Sequence, residues 1–172
     1  MRTVKKRELL WDPGVDLVSH RLPRTFVRRG SGEVEKELEL MRHLTGGMDE
    51  DDAVVIFPEG TRFSLEKQAS LRAKLGERAE RLEYLLPPRS AGSWAMLEAC
   101  PDMDVVFLAH TGLEGANQLE DFINGSLLGK TLKVQFYRVP RAEVPAGREE
   151  FAAWLQTWWE RLDRWIAANR QA

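Results

Sequence analysis

The sequence of 172 residues, 43% hydrophobic and 30% charged, has the size and balance of one folded domain, which excludes disorder of the whole chain. Its only cysteine, Cys100, excludes an internal disulfide and favours a reducing compartment such as the cytoplasm. The net charge is -2, but residues 1–29 form a basic segment with eight basic and three acidic side chains. This asymmetry favours an anionic partner (phosphate, nucleic acid or a lipid surface), with a solvated basic face as the alternative.

The first half of the chain predicts two short strands and a helix between them. Phe26-Val27 is typical of a short strand, and a helix is predicted to begin near Ser31, a good capping residue, and to end at Gly46-Gly47. The run 53–57 is continuously apolar, which predicts a strand buried on both faces. No apolar run is long enough to span a bilayer, so we expect any action at a membrane to take place on its surface.

The second half continues the alternation of helices and strands. We expect a helix over 64–86 stopped by Pro87-Pro88, a short helix over 91–100, a second buried strand over 105–109 and an edge strand over 132–136. A final helix carries an apolar stripe that we expect to pack on the domain rather than in a lipid interface: Phe151, Trp154, Leu155, Trp158, Leu162, Trp165 and Ile166. The pattern predicts a single α/β domain over 1–172, with a mostly parallel central sheet flanked by helices.

The stretch Phe57-Pro58-Glu59-Gly60-Thr61-Arg62 carries the clearest chemical signal. It follows a predicted strand, and ligands of α/β sheets bind where strands end. Pro58 ends the strand, Gly60 permits a tight turn, and Arg62 offers a planar fork of donors suited to phosphate. Glu59 could hold that fork or accept hydrogen bonds from substrate hydroxyls. The alternative is a strand-ending turn with a surface ion pair.

This stretch resembles the third block of the 1-acylglycerol-3-phosphate acyltransferases, the lysophospholipid acyltransferase family. Three further stretches agree with the family in order and rough spacing. Phe26-Val27-Arg28-Arg29 looks like the second block, although Pro23 stands where the family has glycine. Residues 86–92 are similar to a Pro-Arg-Thr-Gly-Gly-like turn, and residues 105–109 resemble the fourth block without its final proline.

The resemblance implies a glycerolipid acyltransferase fold and transfer of a fatty acyl group from acyl-CoA or an acyl carrier protein. The acceptor is the hydroxyl of a lysophospholipid such as 1-acylglycerol-3-phosphate, and neither a metal nor a cofactor is required. The residues carried over to the acceptor site are Arg29, Glu59, Gly60, Thr61 and Arg62. The implied location is cytoplasmic and peripheral, at the inner face of the membrane.

The histidine that the family uses as its general base is missing from this sequence. The first block pairs a histidine with an aspartate five positions later, but here Thr25, Met48 and Gly115 follow His20, His43 and His110 at that spacing. We therefore expect residues 1–172 to be the C-terminal portion of an acyltransferase domain, shortened by truncation or a miscalled start, and to be inactive as written.

Two alternatives and several single residues complete the expectations. A non-catalytic lipid-phosphate-binding pseudoenzyme or regulatory module is the first alternative. Nucleic-acid binding is the second, and it is disfavoured because the aromatic residues do not interleave with the basic ones. We expect His20 and His43 at the surface, His110 at a strand end and Cys100 in the core. The oligomeric state is left open.

Overall fold

The computed structural model describes the backbone of residues 2–6 and 24–27, and residues 34–112 and 128–170 with their side chains. The strands are β1 (Arg2–Lys6), β2 (Arg24–Val27), β3 (Val54–Val55), β4 (Val105–Thr111) and β5 (Lys133–Val139). The helices are α1 (Val34–Thr45), α2 (Leu65–Leu75), α3 (Glu77–Glu80), α4 (Ser90–Ala99) and α5 (Arg148–Asn169), with a 3-10 turn at Arg141–Glu143. The predicted mixed α/β architecture is confirmed.

The described strands form two sheets. In the first sheet β1 lies between β2 and β3 and pairs with both in the parallel direction. In the second, β4 and β5 form an antiparallel pair that runs from Val105 opposite Val139 to Thr111 opposite Lys133. Because β2 and β3 both run parallel to β1, their carboxyl ends point to the same edge of their sheet.

Two strands that were predicted to be buried on both faces are partly exposed. Only Val54–Val55 of the run 53–57 is paired, and the side chain of Phe57 is 74% exposed. In β4 the burial alternates, with Phe107 and Ala109 buried while Val106 and Leu108 are about half exposed. The reason for the second error is that β4 belongs to an antiparallel pair covered by a helix on one face.

The helices agree better with the sequence, with one exception. The helix α1 ends at Gly46-Gly47 as predicted, and the short helix over 90–99 is present. The single helix expected over 64–86 is wrong: α2 ends at Gly76, whose φ of 55° cannot continue a right-handed helix. The chain then forms α3 and a loop at residues 81–89, which we call the α3–α4 loop.

Aromatic contacts fix α5 against the antiparallel pair. The ring of Phe107 stacks on Trp158 with 4.6 Å between centroids and contacts Trp154 at 5.4 Å. The guanidinium of Arg161 lies over the Tyr137 and Trp158 rings, at 4.6 and 4.7 Å from their centroids. Packing of the final helix on the domain is therefore confirmed, and this packing sets the position of the side chains that α5 sends toward Glu59.

Candidate functional site

The residues from Phe57 to Arg62, which we call the Glu59 turn, leave the end of β3 in a tight reversal. The N–H of Gly60 donates to the carbonyl of Phe57 at 2.9 Å, which closes a β-turn with Pro58 in its second position. Gly60 is buried and has a φ of 73°, so a residue with a side chain would be strained there. The predicted role of Gly60 in a tight turn is confirmed, whereas the strand ends at Val55, before Pro58 could stop it.

The α3–α4 loop folds against the Glu59 turn. The N–H of Arg89 donates to the carbonyl of Pro58 at 3.0 Å. The N–H of Leu86 donates to the carboxylate of Glu59. Two stretches separated by 18 residues in sequence thus form one continuous structure around the Glu59 side chain.

Glu59 lies in an environment that changes its acidity. Its carboxylate is partly buried and accepts a hydrogen bond from the indole Nε1 of Trp159 at 3.3 Å. Burial raises the pKa of Glu59 to about 7, and the negative charge of Asp163 adds to the rise, while the bonds from Trp159 and Leu86 oppose it. Near neutral pH this carboxyl can therefore accept a hydrogen bond from a hydroxyl when ionised, or donate one when protonated.

The side chain of Lys67, which the sequence did not single out, contacts Thr61 and Arg62. The ammonium of Lys67, in the first turn of α2, donates to the Thr61 hydroxyl at 2.9 Å and to the carbonyl of Arg62 at 3.2 Å. Ser64 caps the same helix by accepting from the N–H of Lys67 at 3.3 Å. Lys67, in the first turn of α2, thus brings a positive charge to the end of the Glu59 turn, where Arg62 is exposed.

Asp163 holds the α3–α4 loop in place. Its buried carboxylate accepts from the N–H groups of Glu83, Tyr84 and Leu85 at 3.0, 2.8 and 2.8 Å. From the opposite side, the amide of Gln68 donates to the carbonyls of Leu82 and Glu83 at 3.1 and 2.8 Å. The loop has no regular structure of its own, so these side chains satisfy its backbone groups.

Other expected residues have simple positions. Arg29 and His20 lie outside the described residues, and β2 ends at Val27. His43 is exposed on α1, as predicted, and His110 is exposed on β4. Cys100 is only partly buried, so its placement in the core is wrong.

The described residues contain neither a metal-binding cluster nor a helix suited to span a membrane. Within residues 34–112 and 128–170, no group of three or more histidine, cysteine or acidic side chains could hold a metal ion. None of the helices that the structure describes combines the length and the apolar character needed to cross a membrane.

Comparison with known proteins places this chain in a class. The family model described as Acyltransferase matches residues 1–108, a span that contains the Glu59 turn and the α3–α4 loop. Since that span exceeds half of the chain, the protein belongs to the Acyltransferase family, and the resemblance stated above is confirmed at that level.

Two curated relatives narrow the similarity. The chain is 26% identical over 144 residues to lysocardiolipin acyltransferase 1 of Gallus gallus, covering 78% of this chain and 37% of the relative. It is 27% identical over 179 aligned positions to 1-acyl-sn-glycerol-3-phosphate acyltransferase epsilon of Mus musculus, covering 95% of this chain and 48% of the relative. The chain thus spans less than half the length of each. No solved structure matches at the same significance.

Proposed function

We propose that this chain forms the acceptor-binding part of an acyltransferase that transfers a fatty acyl group to a lysophospholipid. The acyl donor is acyl-CoA or an acyl carrier protein, and the acceptor carries a free glycerol hydroxyl and a phosphate, as in 1-acylglycerol-3-phosphate. One observation carries the proposal: the Glu59 turn and the α3–α4 loop hold each other through the Leu86–Glu59 and Arg89–Pro58 hydrogen bonds, inside the Acyltransferase match.

In this proposal the phosphate is bound by positive charge at the end of the turn. Arg62 supplies the planar fork, Lys67 adds an ammonium, and the first turn of α2 adds backbone N–H groups. Gly60 and Thr61 shape the turn, and Glu59 accepts a hydrogen bond from an acceptor hydroxyl. We assign Arg29 to the same phosphate, which is supported by the end of β2 lying at the same sheet edge as the end of β3.

The same proposal extends to the fold and to the chemistry. We expect the two described sheets to belong to one mostly parallel central sheet flanked by helices. The resemblance implies a general base made of a histidine and an aspartate five positions later, and none of the three histidines has an aspartate at that spacing. We therefore expect little or no turnover from these 172 residues alone.

A lipid acceptor also requires contact with a membrane surface. We propose that the protein is cytoplasmic and binds this surface peripherally. Two large apolar side chains, one in the Glu59 turn and one just after it, are exposed to solvent: Phe57 is 74% exposed and Leu65 is 76% exposed. Apolar side chains beside a phosphate-binding turn suit the boundary between lipid headgroups and acyl chains. The basic segment 1–29 would add attraction to anionic lipids.

Calorimetric titration of the chain with glycerol 3-phosphate tests the proposal. We expect Arg62→Ala to weaken binding roughly tenfold or more, because a charge-assisted pair contributes about 1.5–3 kcal/mol. The control Arg148→Ala removes an equal charge from an exposed position at the start of α5 and should bind like the wild type.

The outcomes separate the possible functions. Wild-type chain without affinity for glycerol 3-phosphate, or equal weakening by both substitutions, would reject the acceptor site. Binding accompanied by sustained acyl transfer from acyl-CoA to 1-acylglycerol-3-phosphate would refute the expected lack of turnover. Binding without transfer agrees with an acceptor-binding part, and also with the non-catalytic lipid-phosphate-binding alternative.

A further inference from the structure

The helix α5 lies beyond the span that matches the Acyltransferase family, yet two of its side chains reach the candidate site. The family match ends at residue 108, and α5 begins at Arg148. Trp159 and Asp163 lie four residues apart on this helix, hence on one face, and both are buried. Each of them contacts a different part of the structure around Glu59.

Trp159 contacts the carboxylate directly. Its indole Nε1 donates to Glu59 Oε1 at 3.3 Å. Because indole is only a donor, it can hold the carboxylate as an acceptor but cannot take a proton from it. The ring of Trp159 also packs edge-on to Phe107, with centroids 6.4 Å apart, so the donor is fixed to the aromatic core.

Asp163 acts on Glu59 through the backbone of the α3–α4 loop. It binds three successive N–H groups, of Glu83, Tyr84 and Leu85, at 2.8–3.0 Å. The next N–H along the chain, that of Leu86, is the one that donates to the Glu59 carboxylate. Asp163 therefore determines where the second donor of Glu59 lies, although it makes no hydrogen bond to Glu59 itself.

We propose that Trp159 and Asp163 are positioning residues that hold the Glu59 carboxylate in the orientation needed to receive the acceptor hydroxyl. The proposal rests on the proposed function, because it gives Glu59 a role in binding the acceptor. It makes α5 part of the acceptor site, even though this helix lies outside the matched family region.

Two conservative substitutions test the proposal. Trp159→Phe keeps an aromatic ring but removes the N–H, and Asp163→Asn keeps the shape but removes the charge. The matched control is Trp158→Phe, at the neighbouring position, where the ring stacks on Phe107. Calorimetric titration with glycerol 3-phosphate measures the affinity, and circular dichroism shows whether each variant is folded.

A carbon-13 pH titration of the Glu59 carboxyl, assigned by its absence in Glu59→Gln, supplies a readout that general loosening of the core would not reproduce. Trp159→Phe should raise the pKa of Glu59, because the hydrogen bond that favours the ionised form is lost. Asp163→Asn should raise it as well, because an amide NH2 replaces one of the oxygens that hold the loop, and the Leu86 hydrogen bond positioned by that loop affects the pKa more than the charge of Asp163 does. Both variants should bind glycerol 3-phosphate roughly three- to tenfold more weakly at pH 7.5, the range expected for loss of one hydrogen bond.

Each outcome decides a separate point. The positioning role would be overturned if Trp159→Phe bound glycerol 3-phosphate as tightly as the wild type, or if Trp158→Phe weakened binding to the same extent. The proposed acceptor site would not be affected by either result. If the wild-type chain binds no glycerol 3-phosphate but the pKa of Glu59 still changes in Trp159→Phe, the acceptor site is rejected. Only the contact between Trp159 and Glu59 is then supported. A higher pKa of Glu59 together with weaker binding in both variants would support the proposal, whereas a lower pKa in Asp163→Asn would show that Asp163 acts on Glu59 only through its charge.

Discussion

At the scale of single residues, Glu59 combines a partly buried carboxyl with a small number of well-defined partners. Two donors, Trp159 and Leu86, favour its charged form, and burial and the charge of Asp163 disfavour it. Burial is the strongest of these effects, so the pKa rises to about 7. Between the ordinary value and this one, the folded chain holds a proton that the unfolded chain has released.

The folded protein should therefore lose stability through Glu59 as the pH rises from about 4.5 to about 7. Glu59→Gln removes this titration while keeping an oxygen that can accept from Trp159. We expect the variant to be more stable than the wild type at pH 8, by on the order of 1–3 kcal/mol, and no more stable at pH 4.5. Urea unfolding at both pH values measures the difference. A constant offset between the two proteins across this range would contradict the raised pKa.

Glu59, Gly60, Thr61 and Arg62 could be named as candidates from the sequence because their contiguous stretch follows a predicted strand and resembles a block of the family. It could not find Trp159, which is 100 residues from Glu59 along the chain. The apolar stripe predicted for the last helix included Trp158 but not Trp159, and Asp163 had no place in a stripe defined by apolar residues. Charge at a helical position facing the core is the signal that would have singled out Asp163.

At the scale of secondary-structure elements, the α3–α4 loop depends on side chains from its neighbours. Asp163→Ala would leave the partly buried N–H groups of Glu83, Tyr84 and Leu85 without their acceptor. We expect a loss of on the order of 2–4 kcal/mol in the free energy of unfolding, measured by urea denaturation. Asp102→Ala, at an exposed acidic position, is the control and should change stability by less than about 0.5 kcal/mol. Equal losses in both variants would show that Asp163 does not anchor the loop.

The antiparallel pair depends on a glycine at the end of β4. Gly112 has a φ of 97°, and an added Cβ would overlap the carbonyl oxygen of Thr131. Gly112→Ala should therefore destabilise the protein by roughly 2 kcal/mol or more. Gly129, with a φ of 75° and open space around it, separates the two effects, since alanine there carries only the backbone strain of about 1 kcal/mol. Thermal unfolding of the two variants measures the difference, and a smaller loss at Gly112 than at Gly129 would be contrary to the overlap.

The helix end expected at Pro87-Pro88 is wrong, because α3 already ends at Glu80. The end of α1 was predictable, because Gly46-Gly47 sets it. The break of the expected 64–86 helix was not, because the residues on both sides of Gly76 favour helix. Burial of strands was harder still. An apolar run such as 53–57 does not reveal which of its faces the rest of the protein covers, and Phe57 is mostly exposed.

At the scale of the whole molecule, the position of exposed apolar side chains gives a prediction about membranes. Leu65 and Leu75 lie at opposite ends of α2, about 15 Å apart, and are 76% and 43% exposed. Leu65→Ser should weaken sedimentation with vesicles of phosphatidylcholine and phosphatidylglycerol roughly fivefold or more, because it removes an apolar contact beside the Glu59 turn. Leu75→Ser should have little effect. The reverse order of the two variants would place the membrane at the other end of α2.

The packing of α5 has an optical consequence. The sequence contains six tryptophans, of which four, Trp154, Trp158, Trp159 and Trp165, lie on this single helix, while Trp94 lies on α4. Four of the six indoles therefore lie on one helix, and three of them, Trp154, Trp158 and Trp159, contact Phe107. Any ligand, pH change or substitution that lifts this helix from the strands should register as a red shift of the emission, without an added label.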